Sequence, residues 1–188
     1  MAQQQGGLVS VAALARDVGL TPRTVESHIE ILSQTYICHT VPSFSRNLGN
    51  ELRKSRKCYL FDLGIRNALL KYFGAQGRDD AGTLIESFVA LELLKHVAPE
   101  TELRFWRTKA GDEVDFVWVV NRRPVPIEVK RADCKGAIPK GLTAFLRRYP
   151  KTPIAFVLHG GETSDVRLHD CVIRFRPWRV AADITNEL

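Results

Sequence analysis

Glu113-Val114-Asp115-Phe116-Val117-Trp118-Val119-Val120, a link Asn121-Arg122-Arg123-Pro124, then Val125-Pro126-Ile127-Glu128-Val129-Lys130: the fold turns on how this stretch is read. Two runs rich in β-branched and aromatic residues flank a short basic link, the pattern of a β-hairpin. With Arg122 and Arg123 as the two loop residues, Asp115 is expected opposite Lys130, and Glu128 opposite Val117. Side chains alternate along a strand, so Glu128 and Lys130 share a face. Asp115, Glu128 and Lys130 are therefore expected on one patch at the open end of the hairpin. Val117 and Val119 share the face of Asp115, so the charges interrupt an apolar surface. Buried charge requires a partner or a metal.

Two carboxylates one strand spacing apart suit a hard divalent cation, Mg²⁺ or Mn²⁺. Such an ion polarises a phosphate and acidifies a bound water. A neighbouring lysine can orient that water and stabilise developing charge. A third carboxylate would complete the set. Glu86 is the candidate, on a helix expected over 83–97 whose other residues, Val89 and Leu93 among them, are largely apolar. The competing reading is a cross-strand Asp115–Lys130 ion pair of small energetic value.

Outward from the hairpin, 102–108 reads as a strand before it, making a three-stranded meander. Residues 138–148 read as a helix with Ile138, Leu142, Phe145 and Leu146 inward. Residues 153–158 form a short continuous apolar run, the pattern of a strand buried on both faces. A last strand is expected over 171–175. Helix, meander, helix, strand, strand predicts an α/β domain over 80–180 around a mixed central sheet.

The N-terminal part reads differently. Residues 1–7 are Gln/Gly-rich and expected to be disordered. Ser10 can cap a short helix that stops at Gly19, and Thr21-Pro22 opens a second with Val25, Ile29 and Leu32 inward. Strands are expected over 37–41 and 57–61, with a basic loop between them, followed by an amphipathic helix over 63–73. This layout, over 8–75, is that of a winged helix-turn-helix. In that reading Arg23, Thr24 and Ser27 face DNA, and Arg53, Lys54 and Arg56 of the loop reach phosphates; a protein-docking module is the alternative. The glycine-rich stretch 74–82 is the expected boundary.

Composition is consistent with a DNA-directed reading. The net charge is +6 over 188 residues, with nine Lys/Arg against five Asp/Glu in the first 75. A basic balance favours anionic partners. Arg107 and Lys109, beside the expected carboxylate site, could hold DNA phosphates or be solvated. Cys38, Cys58, Cys134 and Cys171 show no CxxC spacing and read as reduced cytoplasmic thiols. The five histidines show no ligand spacing, and Trp106 and Trp118 read as core. No apolar run is long enough for a membrane span, and no GxxxxGK[ST] phosphate loop is present.

Asp115, followed after twelve residues by Glu128-Val129-Lys130 and preceded by a helix carrying Glu86, resembles the core of the PD-(D/E)xK, or restriction-endonuclease-like, nucleases. That resemblance implies Mg²⁺-dependent DNA cleavage with Asp115 and Glu128 as ligands, Glu86 as auxiliary ligand and Lys130 as catalytic lysine. More broadly, 10–176 resembles a domain of unknown function found C-terminal to AAA+ ATPase modules in bacteria and archaea. The resemblance rests on Tyr59-Leu60-Phe61-Asp62-Leu63-Gly64, Gly82-Thr83-Leu84-Ile85-Glu86-Ser87-Phe88, Phe105-Trp106-Arg107-Thr108, Glu113-Val114-Asp115-Phe116 and Ile127-Glu128-Val129-Lys130. It implies an AAA+ ATPase module as partner, in the same polypeptide or in trans. The chain departs from the nuclease pattern in having Val114, not proline, before Asp115.

Overall fold

A computed structural model describes residues 1–45, 55–74 and 77–187. Among them are five α-helices, a two-stranded sheet and a six-stranded mixed sheet. Helix α1 (Val11–Val18) is capped by Ser10 and ends on Gly19 in the left-handed conformation. Helix α2 (Pro22–Gln34) is capped by Thr21, with Pro22 in its first turn. Strands β1 (Cys38–Pro42) and β2 (Arg56–Leu60) pair antiparallel, and α3 (Leu63–Leu70) follows with Asp62 as its cap.

The second part begins with α4 (Ala81–Leu94), then β3 (Thr101–Arg107), β4 (Glu113–Val120), β5 (Arg123–Val129), α5 (Lys140–Arg148), β6 (Ile154–His159), β7 (Ser164–Leu168) and β8 (Cys171–Pro177). The sheet order is β3-β4-β5-β6-β8-β7. The first three strands run antiparallel; β5, β6 and β8 run parallel, which requires crossover connections. The fold is mixed α/β, as expected.

One apolar cluster carries Val89, Ala90 and Leu93 of α4 with Phe116, Trp118, Ile127, Phe156 and Leu158 of the sheet. The other carries Leu142, Phe145 and Leu146 of α5 with Val117, Val157, Ile173 and Phe175. Alternate residues of β4 and of β6 thus feed opposite layers, so the sheet lies between α4 and α5. Helix α5 rides very close to β4. A β-carbon on Gly141 would stand 1.8 Å from the Glu113 carbonyl oxygen, so only glycine allows this approach.

The two parts share their cores. Val41 and Tyr59 of the N-terminal hairpin belong to the α4-side cluster, and Phe44 belongs to the α5-side cluster against Tyr149. Residues 43 and 44 also cover β3, whose outer edge would otherwise expose unpaired backbone groups. Ser43 bridges Phe105, and the Phe44 N–H donates to the Phe105 carbonyl at 2.6 Å.

Four expectations need correction. Residues 1–7 are packed, not disordered: the buried Gln5 accepts from the Leu60 N–H at 2.9 Å, and the Gly6 N–H donates to the Cys58 carbonyl. Polar composition concealed a 3-10 helix (Ala2–Gln4) whose following residues borrow the free edge of β2. Helix α5 starts at Lys140, because Pro139 precedes it in an extended conformation. Strand β7 escaped sequence reading because it is a solvated edge with no apolar run.

The fourth correction concerns the register of the decisive hairpin. Asn121 and Arg122, not Arg122 and Arg123, make the turn, both with positive φ, as a type I′ turn requires. Phe116 faces Ile127, and Val117 faces Pro126 rather than Glu128. Continued one step, this register sets Asp115 against Glu128 rather than Lys130. The slip is two in residue sum, so each strand keeps its faces.

A candidate carboxylate site

The open end of the β4–β5 hairpin carries a bulge. Leu103 and Arg104 pair with Trp118 and Val117, but Trp106 pairs with Val114, so Asp115 and Phe116 stand against Phe105 alone. Bulges of this kind re-aim side chains beside functional sites. The displaced alternation is visible in the core: Val114 and Val117 both pack on the α5 side. Asp115 lies at the break, where its Oδ2 accepts the Val129 N–H at 2.8 Å. That bond ties β4 to β5 just beyond their regular ladder.

Glu128 on β5 is 6% exposed. Its Oε1 takes the Lys130 ammonium at 2.6 Å, while its buried Oε2 has no hydrogen-bond partner. A buried carboxylate oxygen without a donor costs free energy unless something cationic reaches it. Burial, with the neighbouring Glu128 and Glu86 charges, holds the Asp115 carboxyl well above the usual range. Burial raises Glu128 as well, opposed by Lys130, then by the Asp115 backbone N–H and Lys57. Two adjacent carboxylates that each resist ionisation, one with an unfilled oxygen, fit a divalent cation.

Two further acids join them. Glu86, on α4, accepts on its Oε1 from the Tyr59 hydroxyl at 2.8 Å and the Lys57 ammonium at 3.1 Å. Glu113, at the start of β4, meets the same Lys57 at 2.7 Å and Arg107 at 3.1 Å. Lys57 comes from β2 and its side chain is 4% exposed. Burial alone would lower its pKa; Glu86, Asp115 and Glu113 outweigh that and hold it well above the ordinary lysine value. Burial, then Glu86, likewise raises Tyr59. Among the described residues, no group of three or more His, Cys, Asp or Glu side chains could hold a metal ion together. Glu86 is engaged by Lys57 and Tyr59.

The loop after β5 is fixed by His159, which is buried at the end of β6. Its Nδ1 accepts from the backbone N–H groups of Cys134 and Gly161, and its Nε2 faces the Glu162 carbonyl. With Nδ1 accepting these two bonds, Nε2 is the nitrogen placed to donate to the Glu162 carbonyl. This histidine is structural, as expected.

A family model described as a domain of unknown function, DUF4143, matches residues 81–178, more than half of the chain. The chain belongs to this family. A second model, also described as a domain of unknown function and named DUF8612, matches residues 1–76. Uncharacterised proteins of Mycobacterium tuberculosis (Rv2008c) and Mycobacterium bovis (Mb2031c) are each 28% identical over 134 residues, covering 70% of this chain and 30% of their own length. The chain thus spans under a third of the curated relatives it matches. No solved structure matches. A domain of unknown function is therefore shown, as expected, and no helix among the described residues is long and apolar enough to cross a membrane.

The DUF4143 part contributes Glu86, Glu113, Asp115, Glu128 and Lys130, and the DUF8612 part contributes Lys57 and Tyr59. Sequence reasoning missed Lys57 and Tyr59. The available signal was alternation: in Arg56-Lys57-Cys58-Tyr59-Leu60, Lys57 shares a face with a tyrosine that is fully buried. Of the expected DNA contacts, Arg107 is tied to Glu113 and Lys109 is exposed. Arg23 and Ser27 are exposed on α2, while the Thr24 hydroxyl bonds that of the cap residue Thr21. Arg56 pairs with Glu26. Arg53 and Lys54 lie outside the described residues. All four cysteines are free, and Trp106 and Trp118 are core.

Proposed function

We propose that this chain is a Mg²⁺-dependent, nuclease-like DNA-processing domain that hydrolyses phosphodiester bonds. In this reading 80–180 is a restriction-endonuclease-like domain and 8–75 a winged helix-turn-helix that positions DNA. The observation that carries it is the buried, donor-less Glu128 oxygen beside Asp115, with Lys130 on the same strand end. Asp115 and Glu128 would hold Mg²⁺ or Mn²⁺; Glu86, the expected auxiliary ligand, stands at the edge of that pair, held by Lys57 and Tyr59. The ion, when bound, supplies Lewis acidity toward the phosphate and an acidified water.

The residues of the chain do the rest. The Val129 N–H holds Asp115 in place. Lys130, its side chain 44% exposed, can turn from Glu128 toward a phosphate or water at the surface and stabilise negative charge as it forms. Arg107 and Lys109 would steady the flanking phosphates, and Arg23, Thr24, Ser27, Arg53, Lys54 and Arg56 would contact DNA as well. This work would be done in the cytoplasm, where free cysteines stay reduced.

The test is cleavage of plasmid and linear DNA with Mg²⁺, Mn²⁺ or chelator. Metal-dependent cutting that Asp115→Ala abolishes is expected. Intact DNA in every metal would overturn the catalytic reading. A second reading is a catalytically silent module that binds nucleic acid or protein in the service of an AAA+ ATPase module. It is favoured by Lys57, which already neutralises two of the four acids, and by the much greater length of the relatives. DNA binding that falls steeply with salt, without cutting, would select it.

A further inference from the structure

Lys57 is the least expected member of the cluster. Its ammonium lies 3.1 Å from Glu86 and 2.7 Å from Glu113, with its side chain almost wholly buried. It also stands 5.6 Å from the centre of the Phe105 ring. No surface role accounts for a lysine in this position. A single ammonium answering two carboxylates from two different elements is what a bound cation does. Gly6, Leu8 and Val9 pair along the β2 edge that carries it.

We propose that Lys57 is a built-in cation: it fills with its own ammonium the seat that Glu86 and Glu113 would otherwise offer a divalent ion, leaving Asp115 and Glu128 as a one-ion site. The N-terminal part is thereby a structural component of the carboxylate site and sets how many ions it takes. The unfilled Glu128 oxygen marks the place left open, and the doubly engaged Lys57 marks the place taken. The ion count rests on the metal reading of Asp115 and Glu128. The role of Lys57 does not, and the two fail separately.

Lys57→Met keeps the length and apolar stem of the side chain and removes its charge. Removing one partner of a buried ion pair is strongly destabilising. In chelator the variant is expected to melt roughly 10 °C lower than the natural protein. Titrated with Mn²⁺ in a calorimeter, it is expected to take up one more ion than the natural protein does, and Mn²⁺ is expected to restore much of the lost melting temperature. If the natural protein binds no Mn²⁺ and the variant binds one, Lys57 keeps its assigned role and the Asp115–Glu128 site falls. Equal uptake by both proteins, whether one ion or none, overturns the proposal. Should Lys57→Met fail to fold, the double variant Lys57→Met/Glu113→Gln, which removes one of the orphaned charges, is expected to fold. A double variant no more stable than the single would mean that Lys57 acts through packing alone, and would also overturn the proposal.

Discussion

Lys57 on β2 and Lys130 at the end of β5 serve the same group of acids, yet their surroundings assign them different work. Lys57 is buried and answers Glu86 and Glu113 at once. Lys130 answers Glu128, and nearly half of its side chain meets solvent. A cation that cannot reach substrate can only hold structure. One at the surface can exchange its carboxylate for a phosphate. Burial, rather than residue type, separates the two lysines.

The largest effect expected at Lys130 is on chemistry. Lys130→Gln is expected to slow metal-dependent cleavage by about 100-fold or more, the scale of a lost proton-transfer or charge-stabilising group. Single-turnover rates on plasmid DNA measure this; an unchanged rate would erase the distinction between the two lysines. Stability is expected to reverse their order. Lys57→Met loses roughly 10 °C, whereas Lys130→Met, which removes one partly solvated pair worth about 1 kcal/mol, loses roughly 2–4 °C. Melting curves in chelator decide it.

A subtler expectation concerns Asp115, between the two. Its folded pKa is raised by burial, then by Glu128 and Glu86. The folded state therefore binds this proton more tightly than the unfolded chain does. The stability it contributes is fully present below the ordinary value of 3.8 and is lost as pH rises toward the folded value. Asp115→Asn can still accept the Val129 N–H and carries no charge to bury. In chelator the natural protein is expected to lose stability relative to Asp115→Asn as pH climbs above about 4, and Asp115→Asn is expected to melt higher at neutral pH while cutting nothing. Melting temperature against pH for both proteins tests this; parallel curves would mean the carboxyl is not strained. The smallest effect belongs to the periphery. Lys109→Gln is expected to weaken DNA binding uniformly and lower the salt slope by about one, because it would remove one phosphate contact.

Much of the fold was legible because its strands and helices obey simple periods. Val25 and Ile29 turned inward on α2, as spaced, and Thr21-Pro22 opened that helix. The run ending in Leu158 was a strand buried on both faces. The solvated edge strand β7 was not legible, because polar residues on an edge carry no apolar pattern. Nor was the packed start of the chain, where backbone pairing with β2 overrides a polar composition. The turn was misplaced by one residue: Asn121 and Arg122 take the positive φ, and the tolerance of asparagine for that conformation was the signal that spacing alone does not carry.

By itself, the sequence determined that Asp115, Glu128 and Lys130 lie at one end of a hairpin, because the expected and the observed two-residue turns keep the same residues on the same face. It also placed Glu86 on a neighbouring helix. Only the tertiary structure decided that Asp115 faces Glu128, that a bulge against Phe105 re-aims it, and that Lys57 from a strand some sixty residues earlier lies buried between Glu86 and Glu113. Local pattern fixes what one element presents. Which distant charge enters a shared interior depends on how separate elements pack, and the cost of burying charge is settled only there.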